Sequence, residues 1–63
     1  MKYKVGDRVR IVMCPIMPEV VGEIGVVRKV RLLSNGMPLY KVAYKGKMIP
    51  DYALTDCLEK VED

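Results

Sequence analysis

Ile24-Gly25-Val26-Val27-Arg28-Lys29-Val30-Arg31-Leu32-Leu33-Ser34-Asn35-Gly36-Met37-Pro38-Leu39-Tyr40-Lys41-Val42-Ala43-Tyr44 is the stretch on which the fold turns. Two runs rich in β-branched and aromatic residues flank Ser34-Asn35-Gly36. Asn-Gly between such runs is a strong hairpin signal because both residues tolerate the left-handed conformations a tight turn demands. The first run predicts a long strand over about residues 23–33 and the second a strand over 39–44. In the second, Tyr40, Val42 and Tyr44 share one face while Lys41 and Lys45 point away from it. Ile24 and Val27 are an odd number of residues apart, so both face a core only if a bulge lies between them. Gly25 is the residue at which a bulge is cheapest.

Outward from the hairpin, Arg8-Val9-Arg10-Ile11-Val12 alternates charged and apolar side chains with period two. It reads as a half-buried strand with Val9 and Ile11 inward and both arginines outward. Val5-Gly6-Asp7 ahead of it is a turn, because glycine takes unusual backbone angles and aspartate bonds its own neighbouring backbone. Residues 13–22 contain Pro15 and Pro18, which remove ladder donors and make the segment a loop. Past the hairpin, Lys45-Gly46-Lys47 turns into a short strand at Met48-Ile49. Pro50-Asp51 then opens a single helical turn at Tyr52-Ala53-Leu54, and a last strand runs over 58–61.

Five short strands without an amphipathic helix predict an all-β domain, a barrel or a small sandwich, and of the two a small five-stranded barrel with one short helical turn before the last strand. Closure is preferred because it removes edges that an open sheet of this size has little means to protect. A chain of 63 residues, 51% apolar and 30% charged, makes one domain spanning 1–63 around one core. Its apolar stretches are far shorter than a membrane helix requires, and Met1-Lys2-Tyr3-Lys4 has no apolar leader, so a cytoplasmic location and no membrane partner are expected.

Chemistry-bearing groups are sparse. There is no histidine, and Cys14 and Cys57 form no Cys-x-x-Cys pair, so neither a metal site nor a cofactor is expected. Ser34 and Thr55 have no histidine base, and the glycines form no phosphate-binding loop, so catalysis is not expected either. The carboxylates Asp51, Asp56, Glu59, Glu62 and Asp63 read as a solvated surface rather than an acid/base or metal cluster. Charge is uneven: residues 1–47 carry ten Lys/Arg against three Asp/Glu, and 48–63 one against five, within a net charge of +3. The basic set Arg8, Arg10, Arg28, Lys29, Arg31, Lys41, Lys45 and Lys47 is the case for a nucleic-acid ligand. With four tyrosines and no Phe or Trp, base-stacking platforms are few.

Met13-Cys14-Pro15-Ile16-Met17-Pro18-Glu19-Val20-Val21 is a loop by its prolines yet mostly apolar. Either Ile16, Met17 and Val20 fold back as a lid on the core, or they form an exposed apolar patch for a protein partner, methionine being adaptable. A Pro-x-x-Pro ligand groove is not expected, because the aromatic wall with a Trp is absent. The expected partner surface is Met13, Ile16, Met17 and Val20 with Arg8, Arg10, Lys41 and Lys45.

Gly6-Asp7-Arg8-Val9-Arg10-Ile11, Gly22-Glu23-Ile24-Gly25-Val26-Val27, Tyr40-Lys41-Val42-Ala43-Tyr44, Tyr52-Ala53-Leu54 and Leu58-Glu59-Lys60-Val61 together resemble the SH3-like electron-transport accessory proteins. That group includes photosystem I subunit IV, the variable chain of ferredoxin–thioredoxin reductase and the nitrile hydratase β-subunit domain. The resemblance implies an SH3-like barrel and a non-catalytic accessory role, packed on a redox or metal enzyme, with the first long loop bordering the recognition surface. It also implies a last strand antiparallel to the first, which sets residues before Leu58 beside residues after Val12, so that Cys14 and Cys57 can be neighbours; they read first as two reduced cysteines, with a redox-sensitive bridge as the alternative. The first half also resembles a KOW-type module, whose connection is shorter; this implies the alternative, a small basic nucleic-acid-binding barrel.

Overall fold

A computed structural model describes residues 2–61; Glu62 and Asp63 of the acidic tail lie outside the described residues. The strands are β1 (Arg8–Ile11), β2 (Ile24–Leu32), β3 (Pro38–Tyr44), β4 (Lys47–Met48) and β5 (Leu58–Lys60). Every neighbouring pair is antiparallel, and they form one sheet in the order β4-β3-β2-β1-β5. The protein is thus a small all-β domain. Among the described residues no ladder joins β4 to β5.

Period-two alternation explains β1: Val9 and Ile11 are buried and Arg8 and Arg10 exposed. The turn before it is held by the expected chemistry. Asp7 accepts from the Lys4 backbone N–H through Oδ2 at 3.1 Å, and Gly6 sits at φ 96. The Val27 N–H donates to the Asp7 carbonyl, fastening this turn to β2.

β2 carries a bulge, but not at Gly25. Pairing runs Val26 with Ala43 and Val27 with Val42, then shifts by one residue so that Lys29 faces Lys41 and Val30 faces Tyr40. Arg28 is the extra residue. The inward set is Gly25 and Val27 before the bulge and Val30 after it, while Ile24 points outward and is 38% exposed. The odd spacing that demands a bulge is therefore Val27 to Val30. Gly25 answers a different need, the close approach of β3: a Cβ there would come within 2.6 Å of both the Ala43 carbonyl oxygen and Val42 Cγ1.

Two shorter elements also differ from expectation. The strand after Lys45-Gly46 is Lys47–Met48, with Ile49 buried immediately beyond it. Tyr52-Ala53-Leu54 is extended rather than helical, because Ala53 exchanges two backbone hydrogen bonds with Tyr40, at 2.7 and 2.9 Å. The helical turn comes next, at Thr55–Cys57, directly before β5.

The core is Tyr3, Val9, Ile11, Val20, Val27, Tyr40, Val42, Ile49 and Leu58. Tyr3 and Tyr40 meet edge to face with ring centroids 5.0 Å apart. The Tyr3 hydroxyl donates to the Leu58 carbonyl, and its backbone N–H donates to the Tyr40 hydroxyl. Burial pushes the Tyr3 phenol above its ordinary pKa, helped by the neighbouring Tyr40, Glu59 and Asp56.

Candidate functional site

The apolar loop is built from two consecutive turns. The Met17 N–H donates to the Cys14 carbonyl around Pro15 and Ile16. Pro18, whose fixed φ suits a helical start and whose missing N–H costs nothing there, opens a 3-10 turn at Pro18–Val20. Val20, Val21 and Glu23 then donate to Met17, Pro18 and Val20 carbonyls, and Gly22 donates to Ile11. So much internal bonding gives the loop a defined shape in which inward and outward side chains are fixed.

The two alternatives for this loop divide between residues. Val20 is 1% exposed and belongs to the core. Met17 is half-buried and packs on that core. Ile16 and Met13 stand out at 52% and 56% exposure. A lid of Met17 and Val20 thus carries an exposed apolar shoulder.

Opposite the lid is the β3–β4 turn. Lys45 and Gly46 both have positive φ, at 50 and 78, as the two central residues of a type I′ hairpin require. Among the described residues Lys45 is the one non-glycine with positive φ. Lid and turn enclose a cleft of about 300 Å³, floored by Val20 and Ile49, walled by Met17, Tyr44 and Met48, and edged by Lys45, Lys47 and Glu19. The Tyr44 hydroxyl donates to Glu23 Oε1 at 3.1 Å, which fixes that wall. Lys45 Nζ lies 5.5 Å from the Tyr44 ring centroid.

The remaining expected residues lie elsewhere. Arg8 and Arg10 project from the outer face of the sheet, opposite Val26 and Ile24, and the Arg10 guanidinium donates to the Gly22 carbonyl. Lys41 donates to the Pro50 carbonyl and sits 4.9 Å from the Tyr52 ring centroid, which ties it to its own fold. The structure therefore brings Met17 and Lys45 to one site, with Ile16 and Met13 on the same loop, and leaves the arginines on a different face. Glu19, Lys47 and Met48 join the site through a register that short-range pattern does not reveal.

A second apolar feature, the exposed Leu32, Leu33 and Met37 at the β2–β3 tip, lies at the opposite end of β3 from the cleft. Cys57 is beside the loop, its carbonyl accepting from Val12 and Met13 at 2.8 and 3.3 Å, and both thiols are free and partly buried. Among the described residues no three His, Cys, Asp or Glu side chains group as metal ligands, and no helix is long and apolar enough to cross a membrane.

No family model matches the chain, and no curated protein or solved structure is significantly similar to it.

Proposed function

We propose that this chain is a non-catalytic accessory module of the SH3-like barrel type, cytoplasmic, that binds a protein partner at the cleft between its first loop and its β3–β4 turn. One observation carries the reading: a defined apolar lid and a lysine-bearing turn, far apart in sequence, meet around a 300 Å³ apolar cleft, and the loop that forms the lid also exposes Ile16 and Met13. Exposed apolar side chains on a hydrogen-bonded loop are the marks of a recognition surface rather than of a solvated connection. The resemblance to electron-transport accessory chains favours a redox or metal enzyme as the partner.

A nucleic-acid ligand is the second reading. It is favoured by one stretch, residues 24–50, which holds six Lys/Arg and no Asp or Glu. Titration of labelled RNA and DNA at low and high salt separates the two. Micromolar binding that falls steeply with salt supports the nucleic-acid reading and sinks the first. The protein reading predicts that a photo-crosslinker at Ile16 captures one defined protein, that the same group at Arg8 does not, and that RNA binds only weakly. Capture of a redox or metal enzyme would support the accessory role, and another kind of partner would remove that part of it.

A further inference from the structure

We propose that the partner contributes an extended segment that adds to the open edge of β4, pairing with the backbone of Met48, seating a bulky apolar side chain in the cleft and setting carboxylates against Lys45 and Lys47. This rests on the protein-binding reading and names the chemistry of the partner.

The edge comes first. β4 is the outermost strand on its side of the sheet, with Tyr44 facing Lys47 and Ala43 facing Met48. The Ile49 N–H donates inward to the Val42 carbonyl at 2.9 Å. Hydrogen-bonding direction alternates along an antiparallel ladder, so Lys47 and Ile49 turn toward β3 and the N–H and C=O of Met48 turn to the open side. Met48 and Ile49 are both among the residues that line the cleft, with Ile49 buried at its floor. An added strand at Met48 therefore runs beside an apolar recess, the arrangement in which main-chain pairing gives affinity and a side-chain pocket gives specificity.

Charge decides the occupant. Lys45 and Lys47 edge the cleft within a stretch of 27 residues without an acid; of the nearby carboxylates, Glu19 is on the rim across from them and Glu23 is engaged by the Tyr44 hydroxyl. Lysines on an edge discourage pairing with another cationic edge, so a second copy of β4 is the wrong partner and an acidic strand the right one. Lys45 also holds a left-handed conformation that asparagine or glycine adopts more cheaply. Its place at the tip of the turn sets its charge beside the cleft.

The test is selection of phage-displayed random nonapeptides on the full chain, followed by binding of the best peptide with amide and methionine-methyl NMR. The expected result is enrichment of a bulky apolar residue bracketed by Asp or Glu, with shifts centred on Met48, Ile49 and Met17. Binding should weaken about tenfold in the Lys45→Asn, Lys47→Gln double variant, and about as much when alternate peptide amides are N-methylated. Asn-Gly suits a type I′ turn, so that variant keeps the fold. Enrichment of basic or uncharged sequences, no enrichment, unchanged binding after N-methylation, or shifts centred on the β2–β3 tip would each overturn the proposal. Capture of a partner through Ile16 with no acidic-apolar enrichment leaves the protein-binding reading standing and removes strand addition alone.

Discussion

The hydroxyl of Tyr3 donates to the carbonyl of Leu58 at 2.9 Å, joining the segment before β1 to the first residue of β5. The bond is buried, and the same ring packs edge to face on Tyr40. Tyr3→Phe keeps the ring and strands the Leu58 carbonyl, so it should destabilise the fold by about 1–2 kcal/mol. Tyr3→Ala, which also leaves a cavity, should cost about 3–5 kcal/mol. Urea unfolding of both variants checks the ordering.

The same phenol makes stability sensitive to alkali. Its folded pKa lies above the ordinary 10.0, so below that value both states are protonated and its contribution is fully present. As pH rises past about 10 the unfolded state loses its proton first, and stability falls. Denaturant midpoints measured between pH 8 and 11 should drop at the alkaline end, with a shallower drop in Tyr3→Phe.

The division of the first loop predicts a contrast. Val20→Ala removes buried methyls from the core and should destabilise by about 1–3 kcal/mol, whereas Ile16→Ala should stay within about 0.5 kcal/mol. Equal losses at the two positions would mean that the loop is not split into lid and shoulder.

Gly25→Ala should cost about 1–3 kcal/mol, since the new methyl meets backbone and a packed valine where neither can yield freely. Thermal unfolding reads it. A neutral result would place β3 farther from β2 than the structure has it.

Lys45→Asn should stabilise the isolated domain by about 0.5–1 kcal/mol, because asparagine takes positive φ at lower cost. Raised stability with the partner surface weakened would separate what the turn needs from what the site needs.

Much of the fold was legible because its signals are local. Period two in β1, Asn35-Gly36 in the hairpin and Gly6-Asp7 in the first turn each act within a few residues, and all three are found where they were expected. The bulge was legible as a necessity but not as a place: parity shows that a long strand must slip once, and only the pairing with β3 selects Arg28. Tyr52-Ala53 failed because its bond partner, Tyr40, is thirteen residues away from Ala53 and overrides a local turn preference. The candidate site was half legible for the same reason. Composition marks the apolar loop and the lysines, but only register sets Met48 and Lys47 beside Met17.

The slip at Arg28 also divides β2 between two duties. Residues 24–26 pair with β1, and 26 and 27 with β3 as well, while among the described residues the outer half pairs with β3 alone. That outer ribbon is a removable part. Paired residues inserted or deleted on both sides of Ser34-Asn35-Gly36 change the reach of the arm and leave in place the side chains that the core receives.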